Sequence, residues 1–311
     1  MFIKILAMLI IFDFITGCQP VYKKSIVNYL QKGPNILYVE IKQPKEGNVK
    51  LYGNLVLLNV KTGKKNNLLN GIRSSRNPQL INDGDQILFA YDFPFNKGYF
   101  DIYDRLDGKY KEFSIEQRLN FNDRQRMIYD YTTLNDSTII FDLGDTFYKY
   151  SFLNNQLDTI KVVKGKNLQE LIYNRSMVYF TYSSYDDSTQ TSYLGIYKIF
   201  NDSLKLTKEK AIRLGNVSPD GKRIVFSNLS DEIVFYNIIT DSIYYIDENS
   251  IGGKATFGSP YFLSDSQLLL LGFQQDEQLN SDFYIYDIQK QKIIKRLTND
   301  SMERNDIQIY Y

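Results

Sequence analysis

The side chains able to do chemistry in this 311-residue chain are carboxylates, tyrosines, lysines and a single cysteine, because histidine is absent. Without histidine there is no Ser-His-Asp or Cys-His triad, no imidazole base and no imidazole metal ligand. One cysteine excludes an internal disulfide and a cysteine zinc site. Carboxylates remain for acid–base work, and Asp92, Asp142, Asp186 and Asp187 all follow apolar, strand-like runs. Paired carboxylates can cleave glycosides as acid and base or nucleophile. Asp186 and Asp187 could also lend oxygen ligands to Ca²⁺. Against both readings, adjacent strand residues point to opposite faces, and no EF-hand spacing occurs. Aspartates in such places are ordinarily turn formers. No metal and no cofactor is therefore expected. The 37 Lys and Arg balance 36 Asp and Glu, a formal net charge of +1. That balance offers no basic field for nucleic acid.

The lone cysteine, Cys18, has its own context. Met1 to Lys4 is a short basic start, Ile5 to Phe12 is wholly apolar, and Ile15, Thr16 and Gly17 lead into Cys18. This is the pattern of a secretory signal. Interrupted by Asp13, it is too short for a spanning helix, which needs about 20 apolar residues. The tetrapeptide Ile15-Thr16-Gly17-Cys18 resembles the lipobox of bacterial lipoproteins. The resemblance implies a signal peptide over residues 1–17, acylation of Cys18, and a lipidated tether over 18–32. Gln19 follows the cysteine with no acidic residue beside it. By resemblance to lipoprotein sorting, this implies the outer membrane of the cell envelope, facing the periplasm.

Residues 33–311 must then position whatever the protein recognises, and they repeat. Residues 77–89, 215–226 and 259–270 each read as a short strand, a turn of Asp, Gly or Ser, and a fully apolar strand. A weaker copy spans 134–141. Each apolar strand is followed by another built around an aromatic, then by a tight polar turn. With Asn59, Tyr103, Tyr148, Tyr197, Tyr236 and Tyr286 as markers, the repeat lies within the length expected for a four-stranded propeller blade. The alternation and the lack of any long helical period exclude an α/β fold. The expectation is an all-β, six-bladed β-propeller of four-stranded antiparallel blades. Five or seven blades remain open, and a two-sheet sandwich is the structural alternative. Blade 4 is the least regular in sequence. Asp306 to Tyr311 is expected to complete a blade begun near the N-terminus.

The turn Ser218-Pro219-Asp220-Gly221, followed by Lys222 to Phe226, resembles the repeat hallmark of the TolB-like (WD-like) propellers. The likeness covers roughly Ile36 to the C-terminus, with the full signature in blade 5 alone. It implies a propeller whose Ser218, Pro219, Asp220 and Gly221 are structural. The family's partner proteins do not transfer on it, since the α/β domain that precedes the propeller in TolB is not expected here.

In such a ring, connections between the first two and the last two strands of each blade share one face. The remaining connections share the other. The extra length falls in this second class. Its aromatic and acidic residues are the candidate ligand face: Tyr91, Asp92, Phe93, Phe95, Tyr99, Tyr182, Tyr185, Asp186, Asp187, Phe273 and Asp276. Long loops on a rigid scaffold commonly carry binding residues, and Tyr and Phe supply area at low rotamer cost. The expected function is non-catalytic binding or scaffolding of an envelope protein or glycan, with the membrane engaged through the N-terminal lipid. The alternative is a propeller glycoside hydrolase or lyase with carboxylates meeting near the axis.

Overall fold

The computed structural model describes residues 33–41, 52–73, 75–91, 99–115, 128, 130–184, 191–246, 255–274, 281–300 and 302–311. They form six four-stranded antiparallel sheets, the blades of a β-propeller. Blade 1 comprises β1 (Asn35–Ile41), β2 (Tyr52–Asn59), β3 (Lys65–Arg73) and the C-terminal β24 (Glu303–Tyr310). Blade 2 holds β4 (Ser75–Ile81), β5 (Gln86–Tyr91), β6 (Tyr99–Asp104) and β7 (Lys109–Ser114). Blade 3 holds β8 (Tyr131–Asn135), β9 (Thr138–Leu143), β10 (Thr146–Ser151) and β11 (Gln156–Val162). Blade 4 holds β12 (Lys166–Asn174), β13 (Met177–Ser184), β14 (Tyr193–Lys198) and β15 (Ser203–Lys210). Blade 5 holds β16 (Arg213–Val217), β17 (Arg223–Ser227), β18 (Ile233–Asn237) and β19 (Ile243–Tyr245). Blade 6 holds β20 (Ala255–Ser264), β21 (Gln267–Gln274), β22 (Ser281–Asp287) and β23 (Lys292–Arg296).

The innermost strands β4, β8, β12, β16, β20 and β24 touch in cyclic order. The ring closes because β24 pairs antiparallel with β1, placing the end of the chain inside the blade that its beginning builds. The expected completion by residues 306–311 is therefore met.

The second strand of each blade is apolar on both sides because both sides face a neighbouring blade. In β1, Ile36 and Tyr38 pack towards blade 6, while Leu37 and Val39 pack towards blade 2. In β9, Ile139 and Phe141 face blade 2 and Ile140 faces blade 4. In β17, Ile224 and Phe226 face blade 4 and Val225 faces blade 6. A period of two with both faces buried produces a continuous apolar run. Each of the six clusters thus sits at one junction between blades.

The outer hairpins are fixed by local chemistry. Tyr197 and Tyr236, each next to last in the third strand, donate their hydroxyls to Asp202 and Asp241, which lie in the left-handed region. In blade 3 the same role falls to Tyr150, which donates to Asn155. The marker there is Tyr150, two residues beyond Tyr148. A shift of two keeps the same strand face, so the repeat survived the slip. Blade 4 pairs through all four strands, with register shifts between Gln169 and Leu171 and between Tyr193 and Gly195.

Inner strands approach closely at Gly215. A Cβ on Gly215 of β16 would run into the Pro260 carbonyl of β20. Backbone cannot yield as a flexible side chain does. Gly215→Ala is expected to destabilise the protein by roughly 1–3 kcal/mol, read as a lowered denaturation midpoint with the fold retained.

Candidate functional site

A cavity of about 790 Å³ runs along the ring axis, lined chiefly by the inner strands. An innermost strand is an edge strand, with one row of backbone groups lacking a ladder partner. Here side chains from the preceding blade serve several of those groups. The Tyr310 hydroxyl of blade 1 accepts the Leu80 N–H at 2.9 Å. Gln79 of blade 2 accepts the Thr133 N–H at 2.7 Å and donates to the Tyr131 carbonyl at 3.0 Å. Asp130, ahead of β8, accepts the Leu171 N–H at 2.8 Å. Glu170 of blade 4 accepts the Leu214 N–H at 2.6 Å. Asn216 of blade 5 accepts the Phe262 N–H at 2.5 Å and donates to its carbonyl at 3.1 Å. The junction of blades 6 and 1 uses a different device: fully buried Arg304, which donates to the Ser281 carbonyl and pairs with Asp300.

Bulges aim Glu170 and two further channel residues. Asn77, Glu170 and Asp306, on β4, β12 and β24, have φ of 58°, 35° and 54°, and each lies at a register shift of its strand. Asparagine and aspartate tolerate this region; glutamate does so less readily, which makes Glu170 a point of local strain. A bulge turns the side chain out of the regular alternation, here along the channel.

The channel carries charge of both signs. Asp130, Glu170 and Asp306 line it, opposed by Arg213 and Arg304. Burial pushes the Glu170 carboxyl up to about 7; Asp130 adds to the rise, while the Leu214 N–H and Arg213 oppose it. Asp142 is wholly buried behind Asp130, whose N–H it accepts at 3.0 Å, and burial holds its carboxyl well above the usual carboxylate range. Among the described residues, no group of three or more acidic side chains is arranged to hold a metal ion.

The residues singled out from the sequence fall differently. Asp92, Phe93, Phe95, Tyr185, Asp186, Asp187 and Asp276 lie outside the described residues, as do Ile15, Thr16, Gly17 and Cys18. Tyr91 closes β5 opposite Ser75, and Tyr99 opens β6 half-buried. Tyr182 is buried in blade 4, donating to the Thr207 carbonyl at 2.6 Å with its ring beside Tyr193. It builds the blade and offers no open surface. Phe273 is partly buried against the cluster between blades 6 and 1, and lines the channel. Asp142, one of the carboxylates considered for acid–base work, is wholly buried and does not line the channel.

The Ser218–Gly221 turn is structural. Asp220 accepts the Ser218 hydroxyl at 2.6 Å and the Lys222 N–H at 3.0 Å, while Gly221 takes a φ of 76°. Arg175 of blade 4 donates to the Pro219 and Asp220 carbonyls, tying this turn to the preceding blade. Of the channel groups, Gln79 and Asn216 lie inside the repeated stretches 77–89 and 215–226, and Asp306 in the closing segment, where they read as strand residues only; Asp130 and Glu170 lie in no repeated stretch. Their signal in the sequence is faint: polar residues within otherwise strand-like runs.

A carboxyl whose value rises on folding favours the protonated state in the fold. The stability it lends is complete below its unfolded value and is lost as pH rises through about 7. Glu170→Gln keeps an acceptor for the Leu214 N–H and removes the titration. The variant is expected to show a flatter denaturation midpoint between about pH 5 and 7.5 and to exceed the parent at the upper end. Unchanged pH dependence would contradict this.

No protein-family model matches the chain, and no curated protein matches it in sequence. Among solved structures the chain is similar to TolB from Acinetobacter baumannii, with a TM-score of 0.61 and 13% sequence identity. The match covers 89% of this chain and 66% of that one, just under two thirds of its length. What the likeness establishes is the fold: the chain has a TolB-like six-bladed β-propeller.

Proposed function

We propose that the protein is a lipid-anchored component of the bacterial cell envelope. In this reading it faces the periplasm from the outer membrane. Its propeller is a non-catalytic binding or scaffold module for an envelope protein or glycan. The observation that carries this reading is the asymmetry of the two faces. Connections between first and second strands in blades 2 to 6, and between third and fourth strands in every blade, are short: for example residues 82–85, 136–137, 218–222 and 265–266, or 105–108 and 152–155. All long connections leave the other face, including 42–51, 92–98, 115–130, 185–192, 246–254 and 275–280. A scaffold that keeps one face short and elaborates the other concentrates variable surface where recognition residues are usually found.

The channel carboxylates support binding over chemistry in a specific way. Both Asp130 oxygens accept backbone N–H groups, from Tyr131 and Leu171, and Glu170 accepts that of Leu214. These groups hold blades together. One observation favours the glycoside hydrolase alternative: a Glu170 carboxyl near 7 would suit a general acid, with Asp130 close enough to raise it. Loss of glycoside hydrolysis in Glu170→Gln, from a parent that shows it, would favour that alternative.

The direct test is chemical cross-linking in intact envelopes, comparing the parent with chains shortened within 92–98 and within 185–190. The expected outcome is a discrete adduct that weakens severalfold or disappears in the shortened chains, with their denaturation midpoints unchanged. Identical adducts from parent and shortened chains would remove this face from consideration.

A further inference from the structure

The short-loop face carries a pattern that folding does not require. After the third strand of each blade, the chain turns through two residues in equivalent positions. In blades 3, 4 and 5 the first of the pair points in: Phe152, Ile199 and Ile238 pack against clusters between blades. The second points out. It is Leu106 in blade 2, Leu153 in blade 3, Phe200 in blade 4 and Ile239 in blade 5, with exposures of 42%, 84%, 94% and 69%. Blades 6 and 1 have Gln289 and Lys61 there, so the turn accepts polar residues. Single exposed apolar residues mean little. Four at one turn position in consecutive blades form an arc along one rim.

Separate tips on one rim suit a broad, flat, apolar occupant better than a globular partner, which would need a contiguous patch. The start of the described chain gives the second argument. The Pro34 carbonyl accepts the Val60 N–H at 3.0 Å, and a Cβ on Gly33 would lie 3.8 Å from Lys61 Cβ. The preceding chain therefore joins the ring on the same face as the four tips. Cys18 lies fifteen residues before Gly33, a span of at most about 50 Å when extended. Charge gives the third. The sector that lacks apolar tips carries exposed Lys61 and Lys292, placed to meet lipid phosphates beside the tether, while Lys290 there pairs with Asp287 at 3.5 Å. Two acidic residues of the inner turns have local duties, Asp136 accepting the Asn82 N–H and Asp265 that of Asp220, and the outer-turn acids Asp202 and Asp241 pair with Lys161 and Lys205.

We infer that the short-loop face is a membrane-contact surface. Leu106, Leu153, Phe200 and Ile239 enter the interfacial layer of the bilayer that holds the anchor, and the long-loop face is turned away from it. The inference rests on the proposed lipid anchor for what brings the bilayer near, but not for the surface itself. Amphipathic surfaces of this kind bind through buried apolar area supplemented by basic residues.

The test uses the mature full-length protein reconstituted into vesicles of phosphatidylethanolamine and phosphatidylglycerol, with the mass of its N-terminal peptide measured. Phe200→Cys and, on the opposite face, Ser230→Cys are labelled with an environment-sensitive fluorophore and exposed to a lipid-borne quencher. The expected result is an acylated Cys18, with quenching at position 200 at least roughly threefold stronger than at position 230, and comparable quenching for Leu153→Cys. Equal or absent quenching at 200 and 230 in acylated protein overturns the surface. So does an apolar arc that pairs with a second copy, seen as concentration-dependent dimers with no quenching. A peptide without acyl chains defeats the anchor, while the contrast between positions 200 and 230 still decides the face.

Discussion

A blade whose second strand is apolar on both sides cannot end a row. Any linear stack would leave two apolar faces in water, at roughly 25 cal/mol per Å² of apolar surface. Closure is the constraint on which the rest of this structure depends. It is met by the last strand, β24, entering the first blade beside β1, so that the cluster joining Ile36, Tyr38, Leu269 and Phe283 resembles the other five. Arg304 is fully buried at this junction, its guanidinium between Asp282, Asp300 and Glu40 and near the rings of Tyr38 and Phe283. A buried cation with several anions and backbone carbonyls around it fixes geometry more than it adds stability. Here it fixes the meeting of the two chain ends.

Closure creates the second problem, an axis lined by strand edges. The molecule answers it with side chains that reach from one blade to the backbone of the next, and much of the channel's polarity is spent there. The acids at the axis therefore have a structural reason to be present. Their crowding and burial raise Glu170 towards neutrality as a consequence of that role. The same economy separates the two faces. Tight turns with internal caps leave one face short and, in blades 2 to 5, tipped with apolar residues. The other carries the long connections.

The repeat, the six blades, the short-loop face and the closing strand were all legible from the spacing of turns and apolar runs. Those features depend on local chemistry that recurs: Asp220 and Gly221 in a turn, or Tyr236 reaching Asp241 across a hairpin. Tyr148 was mistaken for Tyr150 because both lie on one strand face and either fits a period of two. Tyr182 looked like a loop aromatic but is buried, since its strand runs further than the polar residues after it suggested. The channel groups were not legible because their identity is set by which backbone groups a neighbouring blade leaves unpaired. That is a property of ring geometry: it leaves no motif around Glu170, and the motif beside Asn216 marks the turn that follows it, not the channel.

A ring closed by its terminal strand should open as a whole. Native-state hydrogen exchange tests this most directly, by comparing opening free energies of amides in β1 and β24 with those in β9, β13 and β17. Closure predicts a shared value for all five strands, the global one, with the amides of Leu171 and Leu214 among the protected set. A distinctly lower opening free energy for β24 or blade 1, with the remaining blades still protected, would show that the ring does not depend on its closing strand and would contradict the account.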